Sequence, residues 1–221
     1  MSEGETKVAV ALVSGGIDSP VAVHRMAARG WKIYPLHCSQ EPVTGPEAEE
    51  KTRISMERIR SQSGGADSVV DEMLVVPVGT TLAKFTEPKS HRDYFVHMKR
   101  LFNSIGCLYA NEVGATHILT GENLGQVSSQ TLGNLGAVEA ASNLPILRPL
   151  LGFDKQNIID EARKIGTFET SAGPETCDAL GPNRPTTVAK TSRLEHHEEA
   201  LGGLVSLAEE CYSKRRSERL G

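Results

Sequence analysis

"KVAVALV", at Lys7 to Val13, is an unbroken apolar run rich in valine. "SGGIDS", at Ser14 to Ser19, follows it and leads directly into "PVAVHRMAARG". A strand with no polar alternation must be covered on both faces, the situation of a parallel sheet flanked by helices. The segment after the loop has apolar residues at helical spacing, a proline at its first position and Gly30 as its stop. The alternation then repeats. "WKIYPLH" reads as a strand, Pro46 to Gln62 as a charged helix, "MLVVPV" at Met73 to Val78 as a strand and His91 to Val113 as a long helix. "THILTG" reads as a fourth strand, "GQVSSQTLGNLGAVEAA" as a helix, "LPILRPL" as a short strand and "DKQNIIDEARKIG" as a helix ending at Gly166. The pattern predicts a doubly wound, mostly parallel α/β sheet with helices on both faces.

The loop has a near copy, "SGGADS" at Ser63 to Ser68. Ligands of such sheets sit beyond the carboxyl ends of the strands, and only the first copy joins a buried strand to a helix. There Gly15 and Gly16 let backbone approach a phosphate, and the N–H groups of the next helix point at it with the positive end of the dipole. Asp18 and Ser19 serve both as helix caps and as candidate ligands for phosphate or Mg²⁺. The second copy follows the helix "SMERIRSQ", so Gly64 and Gly65 read as a helix cap and turn. Neither "GxxxxGK[ST]" nor "GxGxxG" occurs, so any nucleotide is held differently.

At 221 residues the chain can bury one sizeable core, read as a domain over 1–190 followed by a helical tail over 191–221. No apolar run reaches the roughly 20 residues of a membrane helix. "MSEGETK" is acidic and polar, unlike a secretory or transit peptide, and the expectation is a cytoplasmic protein. Cys38, Cys107, Cys177 and Cys211 form no CxxC pair and read as reduced thiols. A net charge of −4 provides no footprint for stand-alone nucleic-acid binding.

"SGGIDSPVA" resembles the PP-loop signature of ATP pyrophosphatases, which cleave ATP between its α- and β-phosphates to adenylate a substrate. "LHCSQEPVTGPEAEEK", "GENLGQVSSQTL", "LPILRPLLGFDKQNII" and "GPETCDALGPNRPTTVAK" narrow the resemblance to the catalytic domain of the ThiI family. These are tRNA 4-thiouridine synthetases that also serve thiamine thiazole synthesis. The similarity runs from about Val8 to Lys190, with Cys38 standing where the family more often has phenylalanine. The family's ferredoxin-like, THUMP and rhodanese-like modules find no match here, so the expectation is that tRNA is held with a helper protein or a separate RNA-binding module.

The resemblance implies ATP and Mg²⁺ as cofactors and assigns roles to residues. The loop Ser14, Gly15, Gly16, Asp18 and Ser19 would hold the departing pyrophosphate, with Asp18 also the candidate Mg²⁺ ligand. Adenine would lie against backbone near Leu36, His37 and Cys38. Gly121, Glu122, Asn123 and Gln126 end the fourth strand on the same side of the sheet. Lys155 matches a family lysine associated with catalysis, and Arg148 is a second phosphate candidate. Cys177 matches the cysteine that takes part in sulfur transfer from a sulfur donor protein or sulfide, and Cys38 is its candidate resolving partner or a packed thiol. Lys99 and Arg100 read as solvated surface charges, and Cys107 and Cys211 as buried small hydrophobes.

The end of the chain, from Ser192, reads as an amphipathic helix with "KRR" at Lys214 to Arg216, whose apolar face offers a homodimer contact. His196 and His197 are adjacent and point apart on a helix, so the expectation is that they bind no metal. Two other readings compete with the sulfurtransferase. A PP-loop ligase delivering nitrogen would need no reactive cysteine, and a non-catalytic adenine-nucleotide-binding protein would bind ATP without making AMP.

Overall fold

The computed structural model describes residues 7–62, 64–172 and 179–221. Its strands are β1 (Val8–Leu12), β2 (Lys32–Ser39), β3 (Glu72–Pro77), β4 (His117–Leu119), β5 (Ile146–Leu147) and β6 (Arg216–Arg219). They form one sheet in the order β5-β4-β1-β2-β3-β6. The first five run parallel and β6 is antiparallel to β3. The helices are α1 (Asp18–Ala27), α2 (Glu47–Arg60), α3 (Gly65–Ser68), α4 (Gly79–Lys84), α5 (Tyr94–Val113), α6 (Leu132–Glu139), α7 (Lys155–Lys164), α8 (Phe168–Ser171), α9 (Thr191–Ala200) and α10 (Leu204–Tyr212).

The pleat sorts the apolar run of β1 between two layers. Ala9 and Ala11 pack with Val21 and Val23 of α1, Met56 and Ile59 of α2, and Ile158 of α7. Val10 packs on the opposite face with Leu101 and Ile105 of α5 and Leu207 of α10. Both faces of β1 are therefore buried, as its composition requires.

The repeated motif resolves as expected. The first copy joins β1 to α1, whereas the second lies between α2 and β3, where Gly64 takes φ +75° and starts the single turn α3. Glycine accepts that left-handed conformation without strain, so this copy is a turn.

Two expectations are corrected. The helix read over "GQVSSQTLGNLGAVEAA" is shorter, beginning at Leu132, because Thr131 caps it and its side chain accepts the Asn134 N–H at 3.3 Å. The tail over 191–221 is not wholly helical. The consecutive glycines Gly202 and Gly203 stop the helix and divide it into α9 and α10. Beyond α10 the basic end becomes β6, registered from Glu72↔Arg219 to Val75↔Arg216. Its cations are already matched: Lys214 pairs with Glu210, Arg215 with Glu112 and Arg216 with Glu49. The inward face of α10, Leu207, Ala208 and Cys211, belongs to the core. Among the described residues no helix is long and apolar enough to cross a membrane.

Candidate active site

The chain leaves β1 toward β2 on one side and returns as β4 on the other, so β1 and β4 flank the topological switch point. Doubly wound sheets open a crevice there, beyond the carboxyl ends of the strands. A cavity of about 780 Å³ occupies it. Ser14 to Ser19, Leu36, His37, Cys38, Gly121, Glu122, Gln126 and Lys155 all line it, so segments far apart in sequence meet on one wall. Asn123 and Arg148 stand behind that wall. Asn123 is buried and donates its amide to the Phe153 carbonyl at 2.5 Å, bracing the turn after β4.

The loop from Ser14 to Ser19 is closed by its own ends. Ser19 Oγ accepts the Ser14 N–H at 2.9 Å and lies 3.2 Å from the Ser14 carbonyl, to which it donates; the Gly16 N–H reaches Ser14 Oγ at 3.4 Å. Ser19 is buried, and its hydroxyl shapes the loop rather than projecting from it. The loop opens onto the first turn of α1, whose N–H groups lack partners within the helix and carry its positive dipole end. A Cβ on Gly121 would sit 2.7 Å from the Ser19 nitrogen, so the turn after β4 can approach the start of α1 this closely only with glycine at that position.

Lys155, the first residue of α7, spans the crevice. Its Nζ donates to Asp18 Oδ1 at 2.7 Å and to Gln126 Oε1 at 3.2 Å. Glu122 anchors a buried network. Its carboxylate takes Lys99 Nζ at 2.7 Å, Arg148 Nε at 2.9 Å and the Thr120 hydroxyl at 3.2 Å. Burial opposes ionisation of Glu122, but Lys99 and Arg148 more than offset it and hold the carboxyl below its usual range. Arg148 also binds Glu139 at 2.6 Å, so its guanidinium is committed to two carboxylates. Lys99 and Arg100, read as solvated from sequence, are corrected here. Lys99 lines the cavity, and Arg100 is buried with both carboxylate oxygens of Glu198 at 2.7 and 2.9 Å. Their partners lie 23 and 98 residues away, which no local pattern reveals.

The residues of β2 play a quieter part. His37 Nδ1 donates to the Val13 carbonyl at 3.0 Å, fixing the top of β2 against the loop. Burial holds its pKa below the ordinary histidine value, the bond to Val13 opposing. Cys38 touches the cavity but is buried, and burial pushes its thiol above the ordinary range, the setting of a packed thiol. Cys211 is buried against Thr81 and Cys107 lies beside Ser142, so the first matches the expected small hydrophobe and the second is only partly covered. Cys177, the sequence candidate for sulfur transfer, lies outside the described residues.

Comparison with known proteins fits this geometry. Residues 4–202 match the family model described as thiamine biosynthesis protein (ThiI). The chain is 37% identical over 203 residues to a probable tRNA sulfurtransferase of Acetivibrio thermocellus, covering 91% of this chain and 50% of that protein. It is 37% identical over 214 residues to the Thermotoga maritima protein of the same description, covering 95% and 54%. The chain thus spans about half the length of the curated relatives it matches. Its fold superposes on the crystal structure of a 4-thiouridine synthetase in complex with RNA and bound ATP, with TM-score 0.89, 35% identity and coverage of 97% of this chain and 55% of that one. NMN synthetase from Francisella tularensis shares the fold alone, with TM-score 0.57 at 11% identity over 96% of this chain and 85% of that one.

Proposed function

The chain belongs to the thiamine biosynthesis protein (ThiI) family, and from that premise we propose that it is an ATP-dependent tRNA sulfurtransferase. The observation that carries the reading is the convergence of a glycine loop, a helix N-terminus and Lys155 at the switch point. A uridine carbonyl oxygen is a poor leaving group. Attack by that oxygen on the α-phosphorus of ATP expels pyrophosphate and makes the oxygen part of AMP, which sulfur then displaces. The loop at Ser14 to Ser19 would bind the departing pyrophosphate through fixed N–H donors, and Lys155 would add a positive charge where negative charge grows. Adenine would lie along Leu36 to Cys38, held in place by the His37 anchor.

Asp18 fits Mg²⁺, because an ion bound to nucleotide needs only one or two carboxylates beside phosphate oxygens and water. Such an ion would supply neutralisation of phosphate charge; Asp18 would hold it, and Lys155 would turn from Asp18 toward the phosphates. Glu122 would keep Lys99 oriented at the far wall. Cys177 would accept sulfur from the persulfide of a donor protein, the donor's thiol leaving, whereas free sulfide would displace AMP from the adenylated uridine directly. The acceptor would be tRNA uridine, as in 4-thiouridine formation, and the same chemistry would serve thiamine thiazole. With a net charge of −4 the chain would grip tRNA together with a helper protein or separate RNA-binding module. It would act in the cytoplasm, where ATP and tRNA meet.

The test is thiolation of unmodified tRNA, at tRNA concentrations high enough to offset weak binding by the chain alone, with the purified chain, ATP, Mg²⁺ and sulfide, read by nucleoside mass spectrometry. Appearance of 4-thiouridine supports the reading. With ammonium supplied in place of sulfide, AMP formation with an aminated nucleoside, and no thiolated nucleoside in the sulfide reaction, would move the assignment to a nitrogen ligase.

A further inference from the structure

Away from the crevice, three potential metal ligands converge where the start of α5 meets α9. Asp93 and His97 come from the turn before α5 and its first turn, and His197 from α9. One ligand atom from each lies within 4.8 Å of the others. Asp93 and His97 are buried and His197 is half-buried.

The hydrogen bonding fixes what these groups offer. His97 Nδ1 lies 3.0 Å from Glu198 Oε1, and a carboxylate can only accept, so Nδ1 carries the proton. Glu198 is itself fixed by Arg100 through both oxygens. The lone pair of neutral His97 is then on Nε2, which is buried with no hydrogen-bond partner. His197 Nδ1 is also buried without one. The His97 ring is held by stacking on Phe85, with centroids 4.7 Å apart and planes within 3°. Arg193 grips both oxygens of Asp93 at 2.7 and 2.9 Å, which leaves each oxygen a further lone pair.

Orphaned nitrogen atoms inside a protein cost free energy, and a carboxylate–histidine pair aimed at an unpartnered centre is the arrangement that orients metal-ligating imidazoles. We infer that Asp93, His97 and His197 form a binding site for a divalent transition-metal ion of the zinc class. Two imidazoles and one carboxylate suit Zn²⁺ or Co²⁺ and disfavour Mg²⁺ or Ca²⁺, which prefer oxygen alone. Zinc–ligand distances near 2 Å place tetrahedral ligand atoms about 3.3 Å apart, so the three groups would draw together by up to about 1.5 Å, with water completing the shell. The ion would staple α9 to the start of α5. The adjacent His196 has no part in it, because neighbouring helical residues project apart.

The site requires no nucleotide, so it is tested without one. The full chain is stripped with a chelator, then titrated with Zn²⁺ by calorimetry and with Co²⁺ by visible absorption. About one saturable equivalent is expected, with a rise in Tm and cobalt d–d bands. His97→Gln and His197→Gln should each weaken binding at least about tenfold, and His196→Ala should leave it unchanged. If buried His97→Gln fails to fold by circular dichroism, half-buried His197→Gln decides. Absence of saturable binding by wild type, binding unchanged in His197→Gln, or loss in His196→Ala would overturn the site.

Discussion

Lys155 Nζ lies 2.7 Å from Asp18 Oδ1, so the first residue of α7 is paired with the first residue of α1 across the mouth of the crevice. The Lys155 side chain keeps 46% of its exposure, and a pair so open to water contributes little to folding. Lys155→Ala is therefore expected to change stability by less than about 1 kcal/mol. Its effect on AMP formation should be a loss of about ten- to a thousandfold, the scale of removing one group that stabilises transition-state charge. Chemical denaturation beside a pyrophosphate-release assay separates the two. A large fall in stability with unchanged turnover would make Lys155 a structural residue.

Gly121→Ala tests the close approach of the turn after β4 to α1. The new methyl would meet backbone at Ser19 N, which cannot move aside as a flexible side chain does. A stability loss of about 1–3 kcal/mol is expected, with weaker ATP binding as the loop shifts. Urea denaturation and nucleotide titration measure both, and a variant with wild-type affinity would show that the loop tolerates displacement.

Glu122 couples the site to pH. Its carboxyl lies below its unfolded value because Lys99 and Arg148 outweigh burial, so it takes up a proton less readily when folded. The resulting stability is fully present above the unfolded carboxylate pKa and is lost as pH falls through the lower folded value. Glu122→Gln should destabilise the protein by about 1–3 kcal/mol at neutral pH, since half-buried Lys99 loses its carboxylate partner and half-buried Arg148 keeps only Glu139. It should also flatten the acid side of the stability profile in a series of urea titrations, and a parallel profile would contradict the coupling.

Sulfur delivery should separate from adenylation. Cys177→Ser is expected to preserve ATP binding and AMP formation while thiolated product from a persulfide donor falls to background, because only the second half-reaction needs a thiol. Cys38→Ser should turn over at close to the wild-type rate, since Cys38 is buried as a packed thiol. Single-turnover kinetics with and without reductant reads both. A Cys38→Ser enzyme that stalls after one turnover would restore Cys38 as the resolving partner.

Much of the architecture was legible because burial leaves a plain mark on sequence. The valine-rich run of β1, its loop and the helix after it are each marked in the sequence, and their context distinguishes the strand-to-helix loop from the turn at Gly64. β6 escaped because "RSER" has no apolar alternation; its place comes from pairing with β3 at the sheet edge. Lys99, Arg100 and His97 sit on a helix whose pattern looks ordinary, and their roles come from Glu122 and Glu198, contributed by distant elements. Arg148 illustrates the converse. Its sequence neighbourhood matched the family, but its charge is directed to Glu122 and Glu139 behind the cavity wall.

The central claim is that ATP is cleaved between its α- and β-phosphates at the loop following β1. The direct measurement is product analysis of ATP turnover with an acceptor tRNA, resolving AMP and pyrophosphate from ADP and phosphate, for wild type, Asp18→Ala and Asp67→Ala. The account expects AMP and pyrophosphate from wild type, background levels from Asp18→Ala, and near wild-type levels from Asp67→Ala, whose residue lies in the turn α3. ADP as the main product, or equal loss from the two substitutions, would contradict it.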